Sequence, residues 1–288
     1  MIAFDSFYEN INWSHDPIEG EPFKHEGSLQ TYMLRPTITI GLSSWWNITF
    51  EQFFGQRNMG WYRDEVSNHH RQENSSSDFM DQAEGGIIGD SKVSIKYLLF
   101  NEGKREGLRL YFASGIVLPS KNQLKISPFL KDSTGEYFDH RHFSISSGVS
   151  KLSLSMQIYY KRNINPVFLG GTFSIDEPIR ESDYGFSGGR GFKLSISMLS
   201  NDNNFFKIPF SANIILSHRG QAYWNGIAAP NSKSSIIVPG IGFMGAYGQL
   251  SYSINMQKPI YLDMFLPESG ENLNNKASGY QLSLSVRH

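Results

Sequence analysis

The chain has 288 residues with 26 Lys and Arg against 27 Asp and Glu, so its net charge of −1 gives no indication of a nucleic-acid partner. Charged residues make up 18% and aromatic residues 14%, which excludes intrinsic disorder because disordered chains are charge-rich and poor in aromatics. The lack of cysteine excludes disulfides, thiolate zinc sites and a cysteine nucleophile.

The sequence indicates neither a membrane-spanning helix nor a leader peptide. No stretch approaches the roughly 18 apolar residues that a transmembrane helix needs. The chain opens with Met1-Ile2-Ala3-Phe4-Asp5, which lacks a charged region followed by an apolar one. We expect that any targeting peptide lies outside these residues or never existed. Length alone allows one large all-β domain or two ordinary ones, and the periodicity decides between them.

Apolar and polar residues alternate along most of the chain, which is typical of β-strands with two different faces. The clearest case is 152–160, where leucine, methionine, isoleucine and tyrosine share one face and serine, glutamine and tyrosine the other. The same alternation predicts further strands, in chain order, within 34–42, 46–51, 92–99, 108–118, 143–146, 192–198, 208–217, 235–244, 250–257 and 280–288.

Short and long connections alternate between these segments. Short turns are predicted near 43–44, 102–106, 149–151, 201–206 and 245–248, and long polar loops near 9–29, 57–89, 120–141, 162–191, 218–234 and 258–278. Successive connections of an antiparallel meander lie at opposite ends, so the short turns share one end and the long loops the other. Bacterial outer-membrane barrels have this layout.

The strand count agrees with a barrel. Both termini lie at the short-turn end if Ile2–Tyr8 supplies all or part of a first strand, which gives about twelve strands, an even number. We therefore predict an all-β fold: one antiparallel up-and-down transmembrane β-barrel over residues 1–288. Its location is the bacterial outer membrane of a Gram-negative cell, in contact with outer-membrane lipid.

A soluble β-sandwich with apolar residues inside is the alternative interpretation. The polar faces favour the membrane, because they are rich in Ser, Thr, Asn and Gln rather than in the Lys and Glu of a solvated exterior. Aromatic residues also cluster where girdles of a membrane barrel would lie. They are Trp45, Trp46, Phe205, Phe206 and Tyr247 at the short-turn end, and Phe54, Tyr160 and Tyr280 near the long-loop end.

Several segments resemble the phenol meta-pathway outer-membrane protein family. Gly86-Ile87-Ile88-Gly89-Asp90 and the strand after it, Ala113–Pro119, Pro239–Phe243 and Ile254–Ile260 are similar to segments of that family. The resemblance covers most of residues 30–288. It implies an outer-membrane barrel related to hydrocarbon and fatty-acid channels, with a role in the uptake of small hydrophobic or aromatic compounds.

Candidate chemistry outside the strands is weak. His142 and Ser144 resemble the His-x-Ser pair of outer-membrane lipid hydrolases, but strand parity would put them in the lumen, and no residue is evident to orient the imidazole. His69-His70, Asp139–His142 and the acidic residues between Asp78 and Asp90 read as solvated loop rather than as metal ligands. We predict no catalytic, cofactor-binding or metal-binding residues, and no enzyme activity.

The functional prediction rests on the residues that are expected to face the lumen. By parity they are Arg35, Glu51, Lys92, Lys96, Arg109, Lys161, Lys193 and Arg287. A basic lumen attracts anionic solutes. The alternative is a plugged lumen in which Asp5, Glu9, Asp16 and Glu19 pair with these bases.

The predicted function is a passive, porin-like channel for small hydrophobic, aromatic or anionic molecules. Its selectivity residues are Arg35, Glu51, Lys92, Lys96, Arg109, Lys193 and Arg287, and the loops at 57–89 and 162–191 gate or fold into its mouth. The alternative function is a non-transporting structural, adhesion or assembly barrel with a closed lumen. Partners are outer-membrane lipid and a small-molecule solute, with no nucleic acid and no cofactor; the sequence leaves protein partners open.

Overall fold

The computed structural model describes residues 1–17, 21–64, 74–103, 105–128, 130, 133, 135, 141–201, 209–229, 232–263 and 276–288. No helix within these ranges is long and apolar enough to cross a membrane. Phe205, Phe206, His69, His70, Asp139, His140 and Glu19, which the sequence analysis names, lie outside the described residues.

The described residues form strands that we label β1 to β17 in chain order. Their bounds are β1 Ile2–His15, β2 His25–Gly41, β3 Trp46–Trp61, β4 Asn74–Ser75, β5 Ile88–Asn101, β6 Gly107–Leu118, β7 Lys151–Lys161, β8 Phe168–Pro178, β9 Phe186–Ser187, β10 Gly191–Ser200, β11 Phe210–Arg219, β12 Tyr223–Trp224, β13 Ile227–Ala228, β14 Ser234–Tyr247, β15 Leu250–Gln257, β16 Ile260–Asp263 and β17 Lys276–Arg287.

Twelve of these strands close into one antiparallel barrel, which confirms the predicted fold class. Each barrel strand pairs with the next along the chain, in the order β1, β2, β3, β5, β6, β7, β8, β10, β11, β14, β15 and β17. Closure comes from β1 and β17, which pair from Ala3 opposite Arg287 to Ser14 opposite Lys276. The short β4 and β16 extend this sheet beside β3 and β14, while β9, β12 and β13 form a separate small sheet among the long loops.

The large apolar side chains of the barrel strands point outward. Ile254, Phe112 and Ile196 are exposed, whereas inward positions carry small and polar residues such as Ala3, Thr31 and Ser153 that are buried. A soluble β-sandwich would bury these apolar side chains, so the soluble alternative is wrong. An exposed apolar belt is what the hydrocarbon of a bilayer covers. The protein is therefore a transmembrane barrel of the bacterial outer membrane.

Aromatic side chains lie on the outer face toward both ends of the barrel. At the short-turn end, Trp46 lies 4.4 Å from Tyr97 between ring centroids, and Tyr247 is exposed beside the turn that follows β14. Nearer the long-loop end, Tyr8 lies between Tyr32 at 4.8 Å and Tyr280 at 5.9 Å. These are the positions of interfacial girdles.

The predicted strand count is correct through two compensating errors. Residues 143–146 were predicted as a strand, but they belong to the connection between β6 and β7, and 149–151 is not a short turn. The predicted loop at 162–191 contains the missed strand β8. The true short turn, 162–167, follows β7, so Tyr160 lies at the short-turn end and not at the long-loop end as predicted.

Each error has a local cause. Strand β8 carries adjacent glycines at 170 and 171, which interrupt the apolar–polar alternation that identifies a strand. In contrast, 143–146 alternates but is bonded to a loop. The Ile145 N–H donates to Asn122 Oδ1 at 3.0 Å, and the Ser146 N–H donates to the Asn122 carbonyl oxygen at 3.0 Å. Strand β1 is longer than the predicted Ile2–Tyr8 because it continues to His15.

The assignment of faces can be tested on neighbouring residues of β15. We expect Ile254→Lys, on the lipid face, to lower the free energy of unfolding by about 2–4 kcal/mol because it places an ammonium in hydrocarbon. Ser253→Lys, one residue away on the lumen face, should cost less than about 1 kcal/mol because its ammonium stays hydrated. Urea unfolding of the barrel in lipid vesicles measures both. Equal losses for the two variants would contradict the assignment.

Candidate functional site: the barrel lumen

The strand register places all the predicted lumen residues on the inner face. Arg35 stands opposite Asp5 and Glu51 stands opposite Lys92, and the alternation of each strand extends this face. The inward set thus contains Arg35, Glu51, Lys92, Lys96, Arg109, Lys161, Lys193 and Arg287. Their role in selectivity stays a prediction.

A charged network crosses the first three strands in the part of the barrel that is nearer the short turns. The Arg35 guanidinium donates to Asp5 at 2.7 Å and lies 3.3 Å from Glu51, while the Ser285 hydroxyl donates to Asp5 at 2.5 Å. The Arg35 guanidinium also lies 5.7 Å from the ring centroid of Phe53. One arginine is thus held between two carboxylates, so Arg35 presents little free positive charge to a solute.

Lysines form a basic wall on the strands that follow. Lys92 donates to Ser153 Oγ at 2.8 Å, and Lys96 donates to Gln157 Oε1 at 3.3 Å. Both bonds reach from β5 to β7, past the small inward residues of β6. In the described part of the chain, neither lysine forms a salt bridge, and the same holds for Lys193 on β10. The charges of this wall therefore remain available to solutes.

The structure adds inward charges that the sequence analysis assigned to loops or did not name. Asp5 and Glu9 belong to β1 and line the wall, and Asp5 forms one of the pairs with the lumen bases that the plugged alternative requires, the salt bridge with Arg35. Arg57, Lys151, Asp176 and Arg219 also face inward. Extending the alternation of the predicted strands through their end residues would have found all of them except Asp176, which lies on the missed strand β8.

The opposite wall, formed by β11, β14 and β15 on the short-turn side of Arg219, is neutral and rich in amides. Glycines at 240 and 242 of β14 face the lumen, and neighbouring side chains lie over them. A Cβ on Gly240 would lie 2.3 Å from Asn213 Oδ1, and one on Gly242 would lie 2.0 Å from Asn255 Oδ1. Gln257 donates to Asn213 Oδ1 at 3.4 Å across this glycine track. The amides thus give a solute donors and acceptors without charge.

The lower lumen, which we define as the part between the Arg35 network and the short turns, is basic and partly aromatic. Its inward strand positions carry Lys96, Arg109, Lys161 and Arg287, and no acidic residue among those the structure describes. Arg109 donates to the Gly103 carbonyl oxygen at 2.7 Å, which anchors it at the turn. Tyr111, Tyr159 and Phe168 line the same region.

The mouth, at the long-loop end, is narrowed by the segment 141–150. Arg57 of β3 donates to the Ser144 carbonyl oxygen at 3.3 Å. Ile145 packs over the inward Phe53 and Gly89, where a Cβ on Gly89 would lie 2.8 Å from Ile145 Cγ2. This segment therefore enters the barrel, whereas that role was predicted for the loops at 57–89 and 162–191.

Arg141 holds this segment in place. Its guanidinium is buried and donates to the carbonyl oxygens of Ser75 at 3.1 Å, Ser76 at 2.9 Å and Asp78 at 2.6 Å, and to that of Glu84. Burial lowers the pKa of this guanidinium below its ordinary value. The carbonyl oxygens replace the lost water, so the charge links two long loops.

The candidate chemistry outside the strands gains no support. The Ser144 hydroxyl donates to the Ser146 carbonyl oxygen at 2.5 Å, so its proton points to the backbone rather than to an imidazole. Neither His142 nor Ser144 lies on a strand, which corrects their predicted place at a strand mouth. Within the described ranges, no group of three or more His, Asp or Glu side chains could hold a metal ion.

A cavity of about 810 Å³ lies at the barrel seam near the long loops. The pairing of β15 with β17 ends at Gln257 opposite Gln281, and β16 then pairs with β14. The cavity lies beside this seam and is lined by Trp13, Tyr62 and Tyr261 among others. It is separate from the lower lumen, where the bases and aromatic residues meet.

No family model matches the chain, and no curated protein matches it either. Among solved structures, an outer-membrane channel from Pseudomonas putida F1 has a TM-score of 0.54 and 10% identity, covering 99% of this chain and 94% of that one. A TodX monoaromatic hydrocarbon channel mutant has a TM-score of 0.47 and 11% identity, with 99% and 89% covered. LpxR from Salmonella typhimurium has a TM-score of 0.44 and 11% identity, with 96% and 99% covered. The chain shares the fold of outer-membrane barrels.

The role of Arg141 can be tested by protection of the mouth segment. We expect Arg141→Lys to weaken local stability by about 2 kcal/mol or more, because an ammonium cannot reach the same set of carbonyl oxygens. Proteinase K should then cut residues 141–150 faster while the heat-dependent gel mobility of the barrel is kept. Arg180→Lys is the matched control, since its salt bridge with Asp183 is exposed. Similar cutting of both variants would contradict this role.

Proposed function

We propose that the protein is a passive outer-membrane channel that favours small anionic solutes. The observation that carries this proposal is the charge of the lower lumen, where every charged inward strand position among the described residues is a base. Charged side chains inside a membrane barrel mark the path of ions and solutes, because they must be hydrated or paired. A row of bases raises the local concentration of anions.

The distribution of charge along the lumen favours a role of these residues in selecting solutes over a role in merely filling the lumen. The Arg35 network holds one guanidinium and two carboxylates, a formal charge of −1 that Lys92, opposite Glu51 in the register, offsets, so an anion meets a nearly neutral rim. Below this rim lie Lys96 and the other lower-lumen bases, and beside it Lys92. Binding sites that are favourable but spread along the path allow a solute both to enter and to leave. No chemical step and no cofactor are part of this proposal.

The resemblance to the phenol meta-pathway family supports hydrophobic or aromatic solutes, and the basic lumen supports anions. The Pseudomonas putida F1 structure with the same fold is that of an outer-membrane channel, which supports a channel role for this chain as well. LpxR gives no support to an enzyme reading, because its similarity to this chain is low and Ser144 donates to the backbone.

A closed, non-transporting barrel is the second candidate. The observation that favours it is the segment 141–150, which enters the mouth and is tied there by Arg141 and Asn122. Asn122 accepts from the Ile145 and Ser146 N–H groups, and its side-chain amide donates to the carbonyl oxygens of Ser76 at 2.8 Å and Gly86 at 2.6 Å. An ordered segment of this kind narrows the path. In that case the bases would serve stability or assembly rather than selectivity.

The two candidates differ in conductance. We expect purified barrels in planar lipid bilayers to conduct and to prefer chloride over potassium, and we expect Lys92→Gln with Lys96→Gln to shift the reversal potential toward the cation side. The reason is that two unpaired charges leave the lumen wall. Lys121→Gln, in an exposed loop, is the control and should leave the reversal potential unchanged.

The outcomes separate the proposals. Normal membrane insertion with no conductance in the wild type and in a variant lacking 141–150 would favour the closed barrel. If the double variant conducts with an unchanged reversal potential, Lys92 and Lys96 do not determine the ion selectivity.

A further inference from the structure

Three aromatic side chains of the lower lumen form one continuous cluster on adjacent strands. The ring centroids of Tyr111 and Tyr159 lie 6.1 Å apart with edges toward faces, and those of Tyr159 and Phe168 lie 5.2 Å apart. All three point inward and are only partly buried. An aromatic surface inside the lumen offers a face on which a flat ring can stack.

A cation stands directly beside this aromatic cluster. The Lys96 ammonium lies 5.7 Å from the ring centroid of Tyr111. It donates to Gln157 Oε1 at 3.3 Å, and the Tyr159 hydroxyl donates to the same oxygen at 3.3 Å. Two donors, one of them charged, thus share a single neutral acceptor through long bonds. A carboxylate is a stronger acceptor for both, since charge-assisted hydrogen bonds are shorter and stronger than neutral ones.

A glycine in the backbone beneath the aromatic cluster leaves room for the Tyr159 ring. Gly170 of β8 faces the lumen under the Tyr159 ring, and a Cβ there would lie 2.7 Å from Tyr159 Cδ1. Any larger residue would push the ring out of its place. The next residue, Gly171, faces outward, and a Cβ there would lie 3.5 Å from its nearest neighbour, Ile158 Cγ2, which is an ordinary contact.

We propose that this cluster is a binding subsite for aromatic carboxylates, with benzoate as the simplest member. The ring of the solute stacks on Tyr159 and Phe168, and its carboxylate accepts from Lys96 and from the Tyr159 hydroxyl in place of Gln157. The proposal rests on the channel function and narrows its solute class. An uncharged aromatic compound would supply no counter-charge to the Lys96 ammonium. An aliphatic acid would supply no ring to stack on Tyr159 and Phe168.

The first experiment measures binding without any transport. Radiolabelled benzoate is dialysed to equilibrium against the detergent-folded barrel, with unlabelled competitors. We expect cyclohexanecarboxylate, which has the charge without the aromatic ring, and benzyl alcohol, which has the ring without the charge, each to compete at least about fivefold more weakly than benzoate. Equal competition by benzoate and cyclohexanecarboxylate, or no saturable binding, would overturn the subsite.

Variants test the residues. Lys96→Gln and Tyr159→Leu should each weaken benzoate binding about tenfold, through loss of the cation and of the ring with its hydroxyl. Gly170→Ala removes no functional group, yet it should weaken binding as well because it displaces the Tyr159 ring. Gly171→Ala is its matched control and should bind as the wild type does. Heat-dependent gel mobility verifies that each variant folds. Equal affinities of the two alanine variants would contradict the placement of the subsite.

The failure of this proposal can be told apart from the failure of the channel. If the barrel conducts chloride, benzoate should reduce that current at lower concentrations than cyclohexanecarboxylate does, and Gly170→Ala should abolish the difference. Conductance without ring-selective binding overturns the subsite alone. Ring-selective binding without conductance overturns the channel and leaves the subsite standing in a closed barrel.

Discussion

The hydrogen-bonding demand of the backbone is the constraint on which the rest of this structure depends. A bilayer offers no partner to an N–H or C=O group, so each strand that crosses it must pair on both sides, and only a closed sheet meets that demand. The pairing of β1 with β17 supplies the closure, and the terminal backbone groups of Ile2 and His288 bond to each other at 2.9 and 3.0 Å. Closure fixes the register of every strand, and the register fixes which side chains meet.

The two faces of the sheet then take opposite chemistry. Because successive side chains alternate across a strand, the lipid side carries exposed apolar residues and the lumen side carries hydroxyls, amides and charges. Inward charges are tolerated because they meet partners or water. Where a carboxylate is near, as at Arg35, the charge is balanced within the wall. Where no carboxylate of the described residues lies within salt-bridge distance, as at Lys96, the charge remains available, and there the lumen is also aromatic.

The backbone groups at the mouth are satisfied in a different way from those of the barrel wall. Its loops lie outside the sheet, so their backbone groups are satisfied by side chains reaching between loops. Buried Arg141 and Asn122 do this for 74–86 and 141–150, and Arg57 ties the second segment to the wall. The width of the mouth therefore depends on a few polar contacts, while the lower lumen is the part to which we assign the proposed preference for a solute.

The sequence by itself determined the class of fold and the face of nearly every residue on the strands that it predicted, because a period of two is a local property of the chain. The number of strands was right only because two errors cancelled. The sequence misplaced two segments where the local pattern misleads: the adjacent glycines hide β8, and the four alternating residues at 143–146 imitate a strand. The lumen bases were predictable by parity, but their surroundings were not. Lys96 and Gln157 are 61 residues apart, and Arg35 and Asp5 are 30 apart. Only the closed sheet brings such residues together, since register and side-chain reach across a strand are set by the whole barrel.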